Sequence, residues 1–194
     1  MHPEVEQDHP GHCPKCGMDL ELSTASANEV DEDTVVGELS RKFWIAFVFT
    51  LPVLFLAMGK MLPSYGLGNF LSHNKGKWLE LFFSTPVVFW AGSIFFKRAW
   101  DSIIHRSPNM FTLIAIGVGS AYLFSLVAVL APGVFPEAYQ HEGEVGLYFE
   151  AAAVIVTLVL LGQLLEAKAR RQTGKAVQAL LKLGAKTAHR MRDG

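Results

Sequence analysis

Four apolar runs govern what this chain can fold into. They cover residues 43–62, 78–96, 110–131 and 147–165, and each is about 19 to 22 residues with almost no charge inside. At about 1.5 Å of helical rise per residue, each run is as long as the roughly 30 Å hydrocarbon core of a bilayer is thick. One such run could be a buried helix of a soluble protein. Four in succession, in a chain of 194 residues that is 51% hydrophobic and 18% charged, predict an all-α polytopic membrane protein with four transmembrane helices.

The net charge of −1 conceals two unlike parts. Residues 1–40 hold ten acids and one base, a net of −9, while residues 41–194 hold eight acids and sixteen bases, a net of +8. A polar acidic tail on a basic, apolar body argues against nucleic-acid binding and for a partner made of membrane lipid. The tail has no secretory leader pattern and is expected to stay in the cytoplasm. Lys97, Arg98 and Arg106 lie between the second and third runs, and Lys168, Arg170, Arg171 and Lys175 follow the fourth. The loop between the third and fourth has no Lys or Arg. The basic flanks therefore place both termini inside the cell (inner or plasma) membrane.

Composition divides the chain into four parts: a Cys/His-containing unit at 1–22, an acidic linker at 23–40 with nothing to bury, a membrane domain at 41–166, and a segment at 167–194 that opens as a helix and ends as the start of a further soluble domain. The second run does not stop at Lys97. It continues as "WAGSIFFKRAWDSIIHRSP", in which Ile94, Phe95, Trp100, Ile103 and Ile104 can share an apolar side. That pattern predicts a helix over about 93–106 lying in the membrane interface, with Gly92 and Ser93 as the bend.

Ionisable groups in a bilayer are costly, so each one within or at the end of a span is a candidate for function. Glu150 and Glu166 mark opposite ends of the fourth run, about 24 Å apart on a helix, too far to share one ion. Met110 opens the third run beside Asn109; a thioether suits Cu(I), although most methionines in apolar helices only pack. Ser120, Tyr122, Thr157 and Gln163 can bond between helices, and Gly117 and Gly119 can let helices approach. In the tail, Cys13-Pro-Lys-Cys16-Gly17 has the spacing of one zinc knuckle, with His2, His9, His12 and Met18 as possible complements. A redox pair is the rival reading, without the βαβ pattern that normally surrounds one.

Several stretches together resemble a known family. "MHPEVEQDHPGHCPKCGMDLE" is similar to the short heavy-metal-binding motif at the N-terminus of bacterial copper- and silver-transporting P-type ATPases. "NMFTLIAIGVGSAY", "YFEAAAVIVTLVLLGQLLEAKAR" and "TGKAVQALLKL" resemble membrane segments of the same pumps. The resemblance implies the N-terminal part of an ATP-driven Cu(I) or Ag(I) exporter, with Zn or Cu as possible occupants of the N-terminal motif at Cys13, Cys16, His2, His9 and His12. It implies that Met110 and Glu166 form the metal entrance and that Glu150 stands on the release side. The bent helix, with Gly92, Lys97, Arg98 and Arg106, would be a platform where a cytoplasmic copper chaperone docks. In the family the bend is a Gly-Gly pair; here it is Ala91-Gly92. The motifs C-P-C, D-K-T-G-T and T-G-E do not occur in these 194 residues, so ATP and Mg would act only through the remaining actuator, phosphorylation and nucleotide domains of a full-length pump. The alternative is a stand-alone, non-catalytic membrane metal-binding or sensor protein.

Overall fold

The computed structural model describes residues 5–6, 13, 29–61, 73–106, 108–136, 140–141 and 144–182. Five α-helices follow in order: α1 (Glu29–Met61), α2 (His73–Thr85), α3 (Ser93–Ile104), α4 (Met110–Leu130) and α5 (Phe149–Lys182). A π-helical turn, Pro86–Ala91, continues α2 towards α3, and a two-residue antiparallel pair, Gln140–His141 with Glu144–Val145, precedes α5. Three stretches are long and apolar enough to cross a membrane: Thr34–Gly59, Met110–Leu130 and Phe149–Thr173. The pair Lys75–Ala91 and Ser93–Ile104, bent by 53°, makes a fourth.

The packing is what a lipid solvent favours. Small side chains fill the interior: Ala46, Ala91, Ala99, Ala152, Ala153, Ser84, Ser102 and Ser125 are all buried. Large apolar ones stand outside, with Leu113 at 74%, Phe55 at 69% and Phe82 at 68% exposure. Water would expel such a surface, whereas hydrocarbon tails are as apolar as the side chains, and close backbone approach then drives association. α1 packs chiefly along α5, and α4 lies against both α3 and α5. The interhelical bonds use three of the four polar residues expected to make them. Thr157 and Thr50 share a hydrogen bond of 2.8 Å, Tyr122 and Thr85 share another of 2.8 Å, and Gln163 accepts from Arg98 at 3.1 Å. Ser120 instead donates to the Gly117 carbonyl within its own helix. Gly117 has open space where a Cβ would point, and Gly119 faces only the Phe96 ring at 3.9 Å, so neither acts as a tight-packing notch.

Two expectations change. α1 begins at Glu29, inside the stretch read as an acidic linker. Glu29, Asp31, Glu32 and Asp33 crowd its first turns, where the helix dipole favours negative charge. The platform helix α3 also differs, in having two apolar faces rather than one. Phe95, Ala99 and Ser102 are buried, whereas Trp100, Ile103 and Ile104 lie exposed about a quarter-turn or more away. The first face packs on the protein; the second is open.

The bend has a local cause. Pro86 cannot donate to the helical ladder, and the chain loosens into the π turn, closed by the Gly92 N–H bonding the Val87 carbonyl at 3.0 Å. α3 starts at once, with the Phe95 N–H bonding the Gly92 carbonyl at 2.9 Å. Gly92 has an ordinary φ of −74°, so its need for glycine is spatial. A Cβ there would run into the Val88 carbonyl oxygen, while the methyl of Ala91 fits in full burial. One glycine is therefore enough for this bend. Gly92→Ala is expected to destabilise the protein by about 1–3 kcal/mol through overpacking. Detergent-solubilised thermal unfolding checks this, and an unshifted midpoint would show that the bend does not need the gap.

Candidate functional site

The bend turns α3 so that it lies against the first turn of α4, and the sequence N-M-F-T closes the junction. Asn109 caps α4, its Oδ1 accepting from the Phe111 N–H at 3.0 Å and the Thr112 N–H at 3.2 Å. The Asn109 N–H in turn donates to Thr112 Oγ1 at 3.3 Å, completing a capping box. The Thr112 hydroxyl donates to Ser102 Oγ on α3 at 3.1 Å, and both residues are buried. Phe111 is buried and stacks on Phe95 with centroids 6.0 Å apart and planes at 11°. Asn109, Phe111 and Thr112 are thus committed to holding two helices together. Met110 is not: it is 58% exposed, its thioether outside the junction.

Arg98 extends this junction to α5. Its guanidinium carbon lies 4.9 Å from the centre of the Phe111 ring, and its Nη1 donates to Gln163 Oε1 at 3.1 Å. Gln163 Nε2 then donates to Glu166 Oε2 at 3.2 Å, and Arg170 Nη2 donates to Glu166 Oε1 at 2.8 Å. The Glu166–Arg170 ion pair is about half exposed, so its own contribution is a few tenths of a kcal/mol. Its carboxylate can exchange partners.

Glu150 sits in the first turn of α5, partly buried, at the other end of the same unbroken helix. That end is anchored by the Tyr148 N–H donating to Ser125 Oγ at 2.7 Å and by fully buried Phe149 against Tyr122. The structure therefore joins Arg98 to Glu166, sets Met110 beside the same junction, and leaves Glu150 apart from both. Lys97 and Arg106 are exposed. Arg106 closes α3 with a left-handed φ of 51°, a position that favours glycine. Of the N-terminal motif, Cys13 is described and is buried; Cys16, His2, His9 and His12 lie outside the described residues. Among the described residues no group of three or more His, Cys, Asp or Glu could hold a metal ion.

One buried charge escapes the sequence reading. Glu80 lies within the second apolar run, is fully buried on α2, and stands one turn from buried Ser84. A lone carboxylate in a membrane-length run was the available signal.

Residues 1–21 match the family profile described as Heavy metal binding domain. A copper-exporting P-type ATPase of Legionella pneumophila is 54% identical over 194 residues, all of this chain and 26% of that protein. A copper-transporting P-type ATPase of Rhizobium leguminosarum is 50% identical over 98% of this chain and 23% of its own length. A silver exporting P-type ATPase of Salmonella typhimurium is 47% identical over all of this chain and 24% of its own. The chain corresponds to the N-terminal part of a heavy-metal P-type ATPase. It spans about a quarter of the length of the curated relatives it matches. This likeness and the apolar helices make it a multi-pass membrane protein, and the stand-alone sensor reading is not favoured.

Two substitutions probe the junction. Asn109→Ala removes the cap and should cost about 1 kcal/mol of stability. Arg106→Gly relieves a left-handed residue and should return about 1 kcal/mol. Melting curves of the two variants in one detergent should move in opposite directions.

Proposed function

We propose that this chain is the metal-receiving part of an ATP-driven pump that exports Cu(I) or Ag(I) across the cell membrane, with both termini cytoplasmic. ATP and Mg act through the domains that the relatives carry beyond the matched quarter. The N-terminal motif, with Cys13, Cys16, His2, His9 and His12, samples the metal in an accessory role, and the domain boundaries at about 22, 40 and 166 separate motif, linker, membrane part and cytoplasmic extension.

In this reading Met110 and Glu166 form the entrance. A soft thioether receives Cu(I), and the carboxylate of Glu166 exchanges Arg170 for the arriving cation. Glu150 serves the release side. α3 lies in the cytoplasmic interface, with Trp100, Ile103 and Ile104 in lipid and Lys97, Arg98 and Arg106 towards a copper chaperone. The observation that carries the reading is the N-M-F-T junction, in which the neighbours of Met110 are committed to structure and the thioether stays accessible.

The test uses a full-length pump carrying this chain in membranes. Met110→Ala and Glu166→Ala should each lower Cu(I)-stimulated ATP turnover about tenfold or more, while phosphorylation by inorganic phosphate persists. Wild-type turnover in both variants would remove the entrance assignment.

A further inference from the structure

We propose that Arg98 is a positioning residue for the metal entrance, clamping α3 to α4 and α5, rather than a free charge for docking. The inference rests on the entrance reading of Met110 and Glu166 and deepens it.

Arg98 is half-buried, and its guanidinium has two fixed partners on different helices. Its face meets the ring of Phe111 at 4.9 Å, the residue directly after Met110. Its edge gives an N–H to Gln163 Oε1 at 3.1 Å. The second bond orients more than itself. An amide has one acceptor end and one donor end, so presenting Oε1 to arginine turns Nε2 the other way. That end meets Glu166 Oε2 at 3.2 Å, a carboxylate that can only accept. Arg98 thus fixes the amide that fixes the carboxylate, and the same planar group braces the turn that presents the thioether.

Lysine cannot do this. An ammonium is a compact point charge and cannot lay a flat face on Phe111 while directing an edge N–H at Gln163. Exposed Lys97, one residue earlier, shows the other use of a base on this helix. A docking role needs only the charge, which lysine keeps. Positioning needs the fork.

The experiment measures Cu(I)-stimulated ATP turnover of the full-length pump carrying this chain, with Cu(I) delivered by a small-molecule chelator, so that no chaperone takes part. Arg98→Gln should raise KM for Cu(I) about tenfold with kcat little changed, since a charge-assisted hydrogen bond and a ring contact are lost before chemistry begins. Arg98→Lys should raise KM nearly as much. Gln163→Leu should reproduce the effect, and the double variant Arg98→Gln/Gln163→Leu should be no worse than either single change. If Arg98→Lys restores wild-type KM, or if Arg98 variants act only when a chaperone delivers the metal, the clamp is wrong and docking is right. Should neither Arg98 variant insert in the membrane, Gln163→Leu decides: an unchanged KM overturns the proposal. A wild-type pump without any Cu(I)-stimulated turnover overturns the entrance reading beneath it instead.

Discussion

The architecture depends on the close approach of the Gly92 backbone to the Val88 carbonyl. A helix that ran straight through this point would carry Lys97, Arg98 and Arg106 onward along the axis of α2, away from the start of α4. With Pro86 loosening the ladder and Gly92 lacking a Cβ, the chain turns by 53° instead. Ser102 then reaches Thr112, Phe95 reaches Phe111, and Arg98 reaches Gln163. Each contact that shapes the surroundings of Met110 follows from that turn. The remaining helices supply a stiff frame, because alanines and serines at their interfaces let backbones pack closely without relying on bulky side chains.

Polar groups inside this frame divide into two kinds. Thr50 with Thr157 and Thr85 with Tyr122 meet each other and fix helix register, as hydroxyls in hydrocarbon must find partners. Arg98, Gln163, Glu166 and Arg170 form an open-ended series that runs from a buried ring to a half-exposed ion pair. Its outer member can trade partners at low cost, while its inner member cannot. A site that must accept and then surrender a cation is well served by such a gradient.

The four spans were legible because length and apolarity are properties of contiguous sequence, and Gly92 was legible as the small residue beside the change of pattern. The start of α1 was not, since an acidic stretch reads equally as linker or as the favourable N-terminus of a helix. α3 was misread as having a single apolar side because periodicity cannot tell a face that packs on protein from one left open. The fully buried state of Glu80 depends on neighbours brought in by the fold. The tie from Arg98 to Gln163 crosses 65 positions, so no local pattern announced it, and a base between two spans read naturally as an exposed charge.

α5 has a consequence for any path between its two carboxylates. Glu150 and Glu166 ride on one uninterrupted helix, and sixteen residues at 3.6 per turn place them about 160° apart around its axis. They look out on nearly opposite sides. A cation received beside one and released beside the other must pass around α5 as well as along it. The groups that hand it across the middle therefore have to come from helices standing on the flanks of α5, which makes α5 a partition with a port at each end rather than one wall of a channel.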